Sequence, residues 1–128
     1  MTDTPASPVA SNDGVITEKY WKLTELNGQP VKPGPNDTYI TLKRDDNRVI
    51  GSGGCNRLTG TYTLEDGNRV RFSQIASTKM ACMGGMETEQ QFFNVLETAD
   101  TYVVVGDRLV LNKARMAPLA RFEAVYMQ

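Results

Sequence analysis

The sequence predicts an α+β fold, a curved antiparallel β-sheet or partial barrel with one principal α-helix packed across it. Three observations lead there. From Tyr20 onward, short runs alternate apolar and polar residues with period two; turn-forming residues separate the runs; and a single segment breaks the alternation with helical spacing.

The first 18 residues are rich in Pro, Ser, Thr, Asp and Asn and carry almost no bulky apolar side chain. Such a composition cannot offset the entropy of ordering, so residues 1–18 are expected to be a disordered N-terminal linker and residues 19–128 the domain. Trp21 and Leu23 then point to one face, with Lys22 and Thr24 on the other. Ile40 and Leu42 alternate with Thr41 and Lys43, Tyr62 and Leu64 with Thr61 and Thr63, and Val70 and Phe72 with Arg69 and Arg71. The last run sets Phe122, Ala124 and Tyr126 against Arg121 and Glu123.

Turns at Asp45-Asp46-Asn47, Asp66-Gly67-Asn68 and Gly106-Asp107 use residues that tolerate positive φ, which predicts three hairpins. The exception to period two runs from Gly84 to Ala99, where Met86, Gln90, Phe92, Phe93, Leu96 and Ala99 recur at helix-like intervals. Glu87 and Glu89 fall in the first turn of this helix, where carboxylates oppose the positive end of its dipole. With strands on both sides of it in sequence, the helix is expected to cover the open side of the sheet.

Composition mainly excludes. The chain has 128 residues, 14 Lys plus Arg, 15 Asp plus Glu, a net charge of -1 and no histidine. Ser-His-Asp and Cys-His catalysis and the common zinc sites therefore fall away. Without a clustered basic surplus, no nucleic-acid partner is expected. No stretch approaches the roughly 20 apolar residues of a spanning helix, and the N-terminus lacks the basic and apolar regions of a signal peptide. No catalytic residue and no cofactor is expected.

Two loops draw attention. Gly51 to Tyr62 reads G-S-G-G-C-N-R-L-T-G-T-Y. Glycine-rich backbone can cradle an anion, but this loop lacks the lysine of a P-loop and feeds a strand, so a tight connection placing Cys55 and Asn56 inside is favoured. The second loop, T-K-M-A-C-M-G-G-M, gathers Met80, Cys82, Met83 and Met86. Thioether and thiolate ligands suit Cu(I), while the plainer reading makes these residues gap-filling core side chains. Cys55 and Cys82 form a disulfide candidate, closing a loop of about 28 residues that would stabilise the fold by roughly 3–4 kcal/mol. In a reducing compartment they would remain buried thiols. The acidic pairs Asp45/Asp46 and Glu65/Asp66 lie at turns and read as solvated carboxylates, and Arg69, Arg71, Arg108, Lys113, Arg115 and Arg121 as the exposed face of a sheet.

Four segments in order, W-K-L-T-E-L-N-G from Trp21, G-G-C-N-R-L-T-G-T-Y from Gly53, S-T-K-M-A-C from Ser77 and E-x-x-F-F-x-x-L from Glu89, resemble the META domain family, which includes HslJ-like heat-shock proteins. The closing L-V-L-N from Leu109 agrees with it. The resemblance implies a small α+β fold, a periplasmic or outer-membrane lipoprotein setting with any lipid anchor outside this chain, and an association with stress or antibiotic tolerance. It marks Gly54, Cys55, Asn56, Gly60, Tyr62, Thr78, Met80 and Cys82 as either a functional surface or the signature of the fold, and brings no catalytic set.

Three functions are compatible with these readings. The first is a non-enzymatic envelope domain, a monomer, that binds a partner protein. The second is a β-cup for an apolar ligand or antibiotic, lined by Tyr62, Phe72, Phe92 and Phe93. The third is Cu(I) binding by the Met and Cys cluster.

Overall fold

The computed structural model describes residues 15–31, 37–66, 68–83, 86–113 and 118–125. In chain order these form β1 (Tyr20–Leu26), β2 (Gln29–Pro30), β3 (Thr38–Lys43), a 3-10 turn (Asp45–Asn47), β4 (Arg48–Gly53), β5 (Arg57–Glu65), β6 (Arg69–Ser77), α1 (Met86–Thr98), β7 (Thr101–Val105), β8 (Arg108–Asn112) and β9 (Ala120–Val125). The strands make one antiparallel sheet in which sequence neighbours pair from β3 to β9, and β9 returns to β1 with Ala120 opposite Leu26 and Val125 opposite Tyr20. The result is a ring with uneven seams. β6 meets β7 in register only at Arg69 and Thr101, and β1 meets β3 at two positions, Trp21 with Ile40 and Lys22 with Tyr39. Helix α1 is the connection from β6 to β7 and packs on β4 and β6.

Each predicted hairpin joins adjacent antiparallel strands: β3 to β4, β5 to β6 and β7 to β8. Positive φ at Asp46, Asn47, Asn68 and Gly106 makes these reversals. A further hairpin turns at Asn27 and Gly28, both with positive φ, and adds β2 to β1. Gly67 and Tyr126 lie outside the described residues, as do residues 1–14 of the linker and Arg115.

Alternation gives the inner face. Trp21, Leu23, Ile40, Leu42, Tyr62, Val70, Phe72 and Phe122 are all buried. In β1 the register against β9 shifts at Thr24, whose hydroxyl donates to the Arg121 carbonyl. That bulge turns Leu26 inward and leaves Glu25 outside to pair with Arg121. The core also extends upstream of the expected boundary. Ile16, assigned to the linker by its composition, is buried, and its carbonyl accepts from Trp21 Nε1 at 2.9 Å.

The helix is placed as predicted but presents a different face. Glu89, Phe92, Val95 and Leu96 are buried, whereas Met86 and Gln90 are exposed and Phe93 is half-buried. At 100° per residue, positions 89, 92, 96 and 99 follow one stripe, and 86, 90 and 93 fall to its side. This stripe fills the interior. Phe92 is fully buried with its ring centroid 6.1 Å from that of Phe122. The apolar cup that would have put Tyr62, Phe72, Phe92 and Phe93 around a ligand is thus occupied by the protein's own core.

Candidate functional site

The loop from β4 to β5 and the segment from β6 to α1 meet at the end of the ring covered by the first turns of the helix. Asn56, 3% exposed, occupies the centre. Its Nδ2 donates to Glu89 Oε1 at 2.7 Å and to the Met80 carbonyl at 3.1 Å. Its Oδ1 accepts from Thr78 Oγ1 at 2.8 Å and from the Met80 N–H at 2.7 Å. Two donors and two acceptors are the whole capacity of a carboxamide, and all are used. The Thr78 hydroxyl in turn accepts from the Arg57 N–H at 3.2 Å.

Glu89 completes the network from the helix. Its Oε2 accepts from the backbone N–H groups of Cys55 at 2.9 Å and Asn56 at 2.6 Å. The carboxylate is 3% exposed and reaches the strand loop because Gly53 leaves room for it. A Cβ on Gly53 would collide with Glu89 Cγ and lie 2.8 Å from Oε2. Gly54 follows at φ +105°, a conformation side-chain-bearing residues rarely adopt, and turns the chain so that successive N–H groups face the helix. The glycines of this loop therefore hold a carboxylate of the same chain, which is the tight connection favoured over an external anion.

The sequence explains Glu89 as a first-turn carboxylate opposing the helix dipole; the structure gives it buried partners on another element as well. Its spacing of three and seven from Phe92 and Leu96 was the available signal, because it puts the carboxylate on the buried stripe, where it requires partners.

The structure joins Cys55 to Cys82 by a disulfide, with their Cα atoms 6.0 Å apart. The bridge ties the loop from β4 to β5 to the same segment before α1 that Asn56 grips. Of the eight motif positions, Gly54, Cys55, Asn56, Thr78, Met80 and Cys82 come together here. Gly60 and Tyr62 do not: they lie along β5, where a Cβ on Gly60 would stand 2.6 Å from Ile75 Cδ1 and the Tyr62 hydroxyl donates to the Lys43 carbonyl at 2.8 Å. Burial, and secondarily the nearby Glu18 carboxylate, pushes the Tyr62 phenol above its ordinary range.

Next to the network is a groove of about 600 Å³ between α1 and the segment Ile75–Met80, lined on the helix side by Met86, Gln90, Phe93 and Asn94. The methionines are not core residues. Met80 is 58% exposed, Met83 100% and Met86 38%. The Cu(I) set read from sequence also loses its thiolate, since Cys82 is bonded to Cys55. Among the described residues no group of three or more His, Cys, Asp or Glu side chains is placed to hold a metal ion.

The acidic pairs Asp45/Asp46 and Glu65/Asp66 are exposed at their turns, and Arg69, Arg71, Arg108, Lys113 and Arg121 are exposed along the sheet. No described helix is long and apolar enough to cross a membrane.

A disulfide-pinned β-ring with one inserted helix and a Glu-Asn clasp beneath it defines a small antiparallel α+β domain. The META domain profile matches residues 15–126, and the chain belongs to that family. Solved structures share the fold. A protein from Burkholderia xenovorans, determined by NMR, is 22% identical with a TM-score of 0.71, over 98% of this chain and 97% of that one. A second NMR structure is 21% identical with a TM-score of 0.67, over 84% and 90%. A DUF4847-family protein from Bacteroides vulgatus is 18% identical with a TM-score of 0.60, over 85% and 94%. A search of curated proteins gives no match.

Proposed function

We propose that this chain is a non-enzymatic binding domain of the bacterial envelope that acts as a monomer, through contact with a partner protein, in stress or antibiotic tolerance. The observation that carries the reading is the methionine-rimmed groove between α1 and Ile75–Met80. Exposed apolar side chains gathered at one place favour a contact surface, and thioethers adapt to varied partners. The Cys55–Cys82 bridge supports an oxidising compartment, the periplasm or the outer-membrane surface. Glu89 supports binding over catalysis, because its oxygens are occupied by fixed N–H donors of the fold.

The test is site-specific photo-crosslinking in living bacteria from the exported full-length protein. A crosslinker at Met80, exposed on the groove, should give a discrete protein adduct that one at Arg108, exposed on β8, does not, with the protein recovered in envelope fractions. Equal labelling from both positions, or recovery from the cytosol with free thiols, would overturn the reading.

A further inference from the structure

We infer that Met80, Met83 and Met86 form a reversible oxidation site for two-electron oxidants of the hydrogen peroxide class, and that oxidation of Met80 and Met86, which line the groove, removes its thioether contacts. This switch rests on the reading of the groove as a contact surface; the chemistry of the site does not.

Three observations converge on it. All three methionines among the described residues fall between the end of β6 and the first residue of α1, each is exposed, and Met80 and Met86 line the groove. No free cysteine competes for the oxidant, because both thiols of the chain are in the bridge. Thioethers are then the most readily oxidised side chains that the described surface presents. Finally, the site is held without help from the thioethers. The Met80 N–H and carbonyl are both bound by the Asn56 side chain, and the chain is tied again two residues later at Cys82. Met80 is therefore displayed beside the groove by a backbone clamp that does not depend on its sulfur.

The step balances simply. A sulfur lone pair attacks one peroxide oxygen, the O–O bond breaks, an S–O bond forms, and the leaving hydroxide collects the remaining proton as water. Sulfur loses two electrons and peroxide gains them. Reversal takes two electrons from a reductase dithiol, which becomes a disulfide as the oxygen departs as water. The Met80 and Met86 sulfoxides place polar S–O groups on the lining they share with Ile75 and Phe93.

The experiment oxidises the disulfide-intact protein with limiting hydrogen peroxide and maps added oxygen by peptide mass spectrometry. Met83 and Met80 should oxidise within about threefold of the rate of free methionine, with Met86 slower, and the unfolding midpoint should hold. Methionine sulfoxide reductases with a dithiol should restore all three. Oxidation of Met80 and Met83 at a tenth of the free rate or less, concurrent unfolding, or failure of restoration would overturn the site. For the switch, a crosslinker at Gln90 reports contact in the groove: its adduct should vanish on oxidation, return on reduction, and survive peroxide in the M80L/M83L/M86L variant. An adduct that survives oxidation of the unmutated methionines overturns the switch. Absence of any adduct before oxidation overturns the contact reading and the switch with it, while the mapping still decides the oxidation site.

Discussion

Glu89 and Asn56 are bound to each other twice, the Asn56 N–H donating to Oε2 at 2.6 Å and its Nδ2 to Oε1 at 2.7 Å, across 33 positions of sequence. Helix and sheet are thus joined by a polar clasp as well as by the apolar stripe of Phe92 and Leu96. Buried polar groups are stabilising only when every member is satisfied, and this network approaches that condition through one carboxamide and one carboxylate.

Truncating Glu89 should therefore be costly. Glu89→Ala leaves the N–H groups of Cys55 and Asn56 and one Asn56 amide hydrogen without their acceptor in a buried site, an expected loss of about 3–5 kcal/mol. Glu89→Gln keeps one acceptor but turns an NH2 group toward other donors, so its loss should be smaller than that of alanine. Denaturant midpoints at unchanged m-value measure both. A stability like that of the unaltered protein in Glu89→Ala would mean that the clasp contributes nothing.

Gly53 is coupled to the same carboxylate by space. Gly53→Ala should cost about 1–3 kcal/mol, since its Cβ would overlap Glu89 Cγ. In the background of Glu89→Ala that collision is gone, so the two changes should be less than additive. Full additivity in a double-mutant cycle would place the strain elsewhere than between these residues.

The fold was legible where residue chemistry and period agreed. Trp21 with Leu23 and Ile40 with Leu42 announced buried strand faces, and Asp46, Asn47 and Gly106 announced reversals. Departures arose where a local pattern was decided by distant partners. Glu89 resembled an ordinary helix-dipole residue because its acceptors' partners, Cys55 and Asn56, lie on another element. Likewise Ile16 stood in a polar stretch, and only the indole of Trp21 shows why it enters the core. The candidate site was half visible: Cys55, Asn56, Thr78 and Met80 shared motifs, but their joining through one carboxamide depends on register that no local spacing encodes.

Removing the bridge tests how far the polar network holds this end of the ring alone. Reduction, or replacement of Cys55 and Cys82 by serine, should lower stability by about 3–4 kcal/mol through the entropy of the freed unfolded chain. The Asn56 contacts to Thr78 and Met80 involve neither sulfur, so amide exchange at Met80 should remain slower than at exposed turns such as Asp46. Exchange at Met80 as fast as at Asp46 would show that the disulfide, and not Asn56, fixes the segment.

A pH dependence is expected at the far end of β3. The Glu18 carboxylate accepts from the Arg44 N–H at 2.7 Å and from Lys43 Nζ at 2.9 Å. The backbone hydrogen bond first, and the lysine second, hold its carboxyl below the ordinary value of 4.5. The group therefore binds protons more tightly in the unfolded chain than in the folded one. Its contribution to stability is present above the ordinary value and is lost as pH falls through the lowered folded value. Glu18→Gln should remove that part of the acid slope while leaving stability between neutral pH and pH 9 with the same shape. An unchanged slope of unfolding free energy against pH below 4.5 in this variant would assign acid sensitivity to other carboxylates.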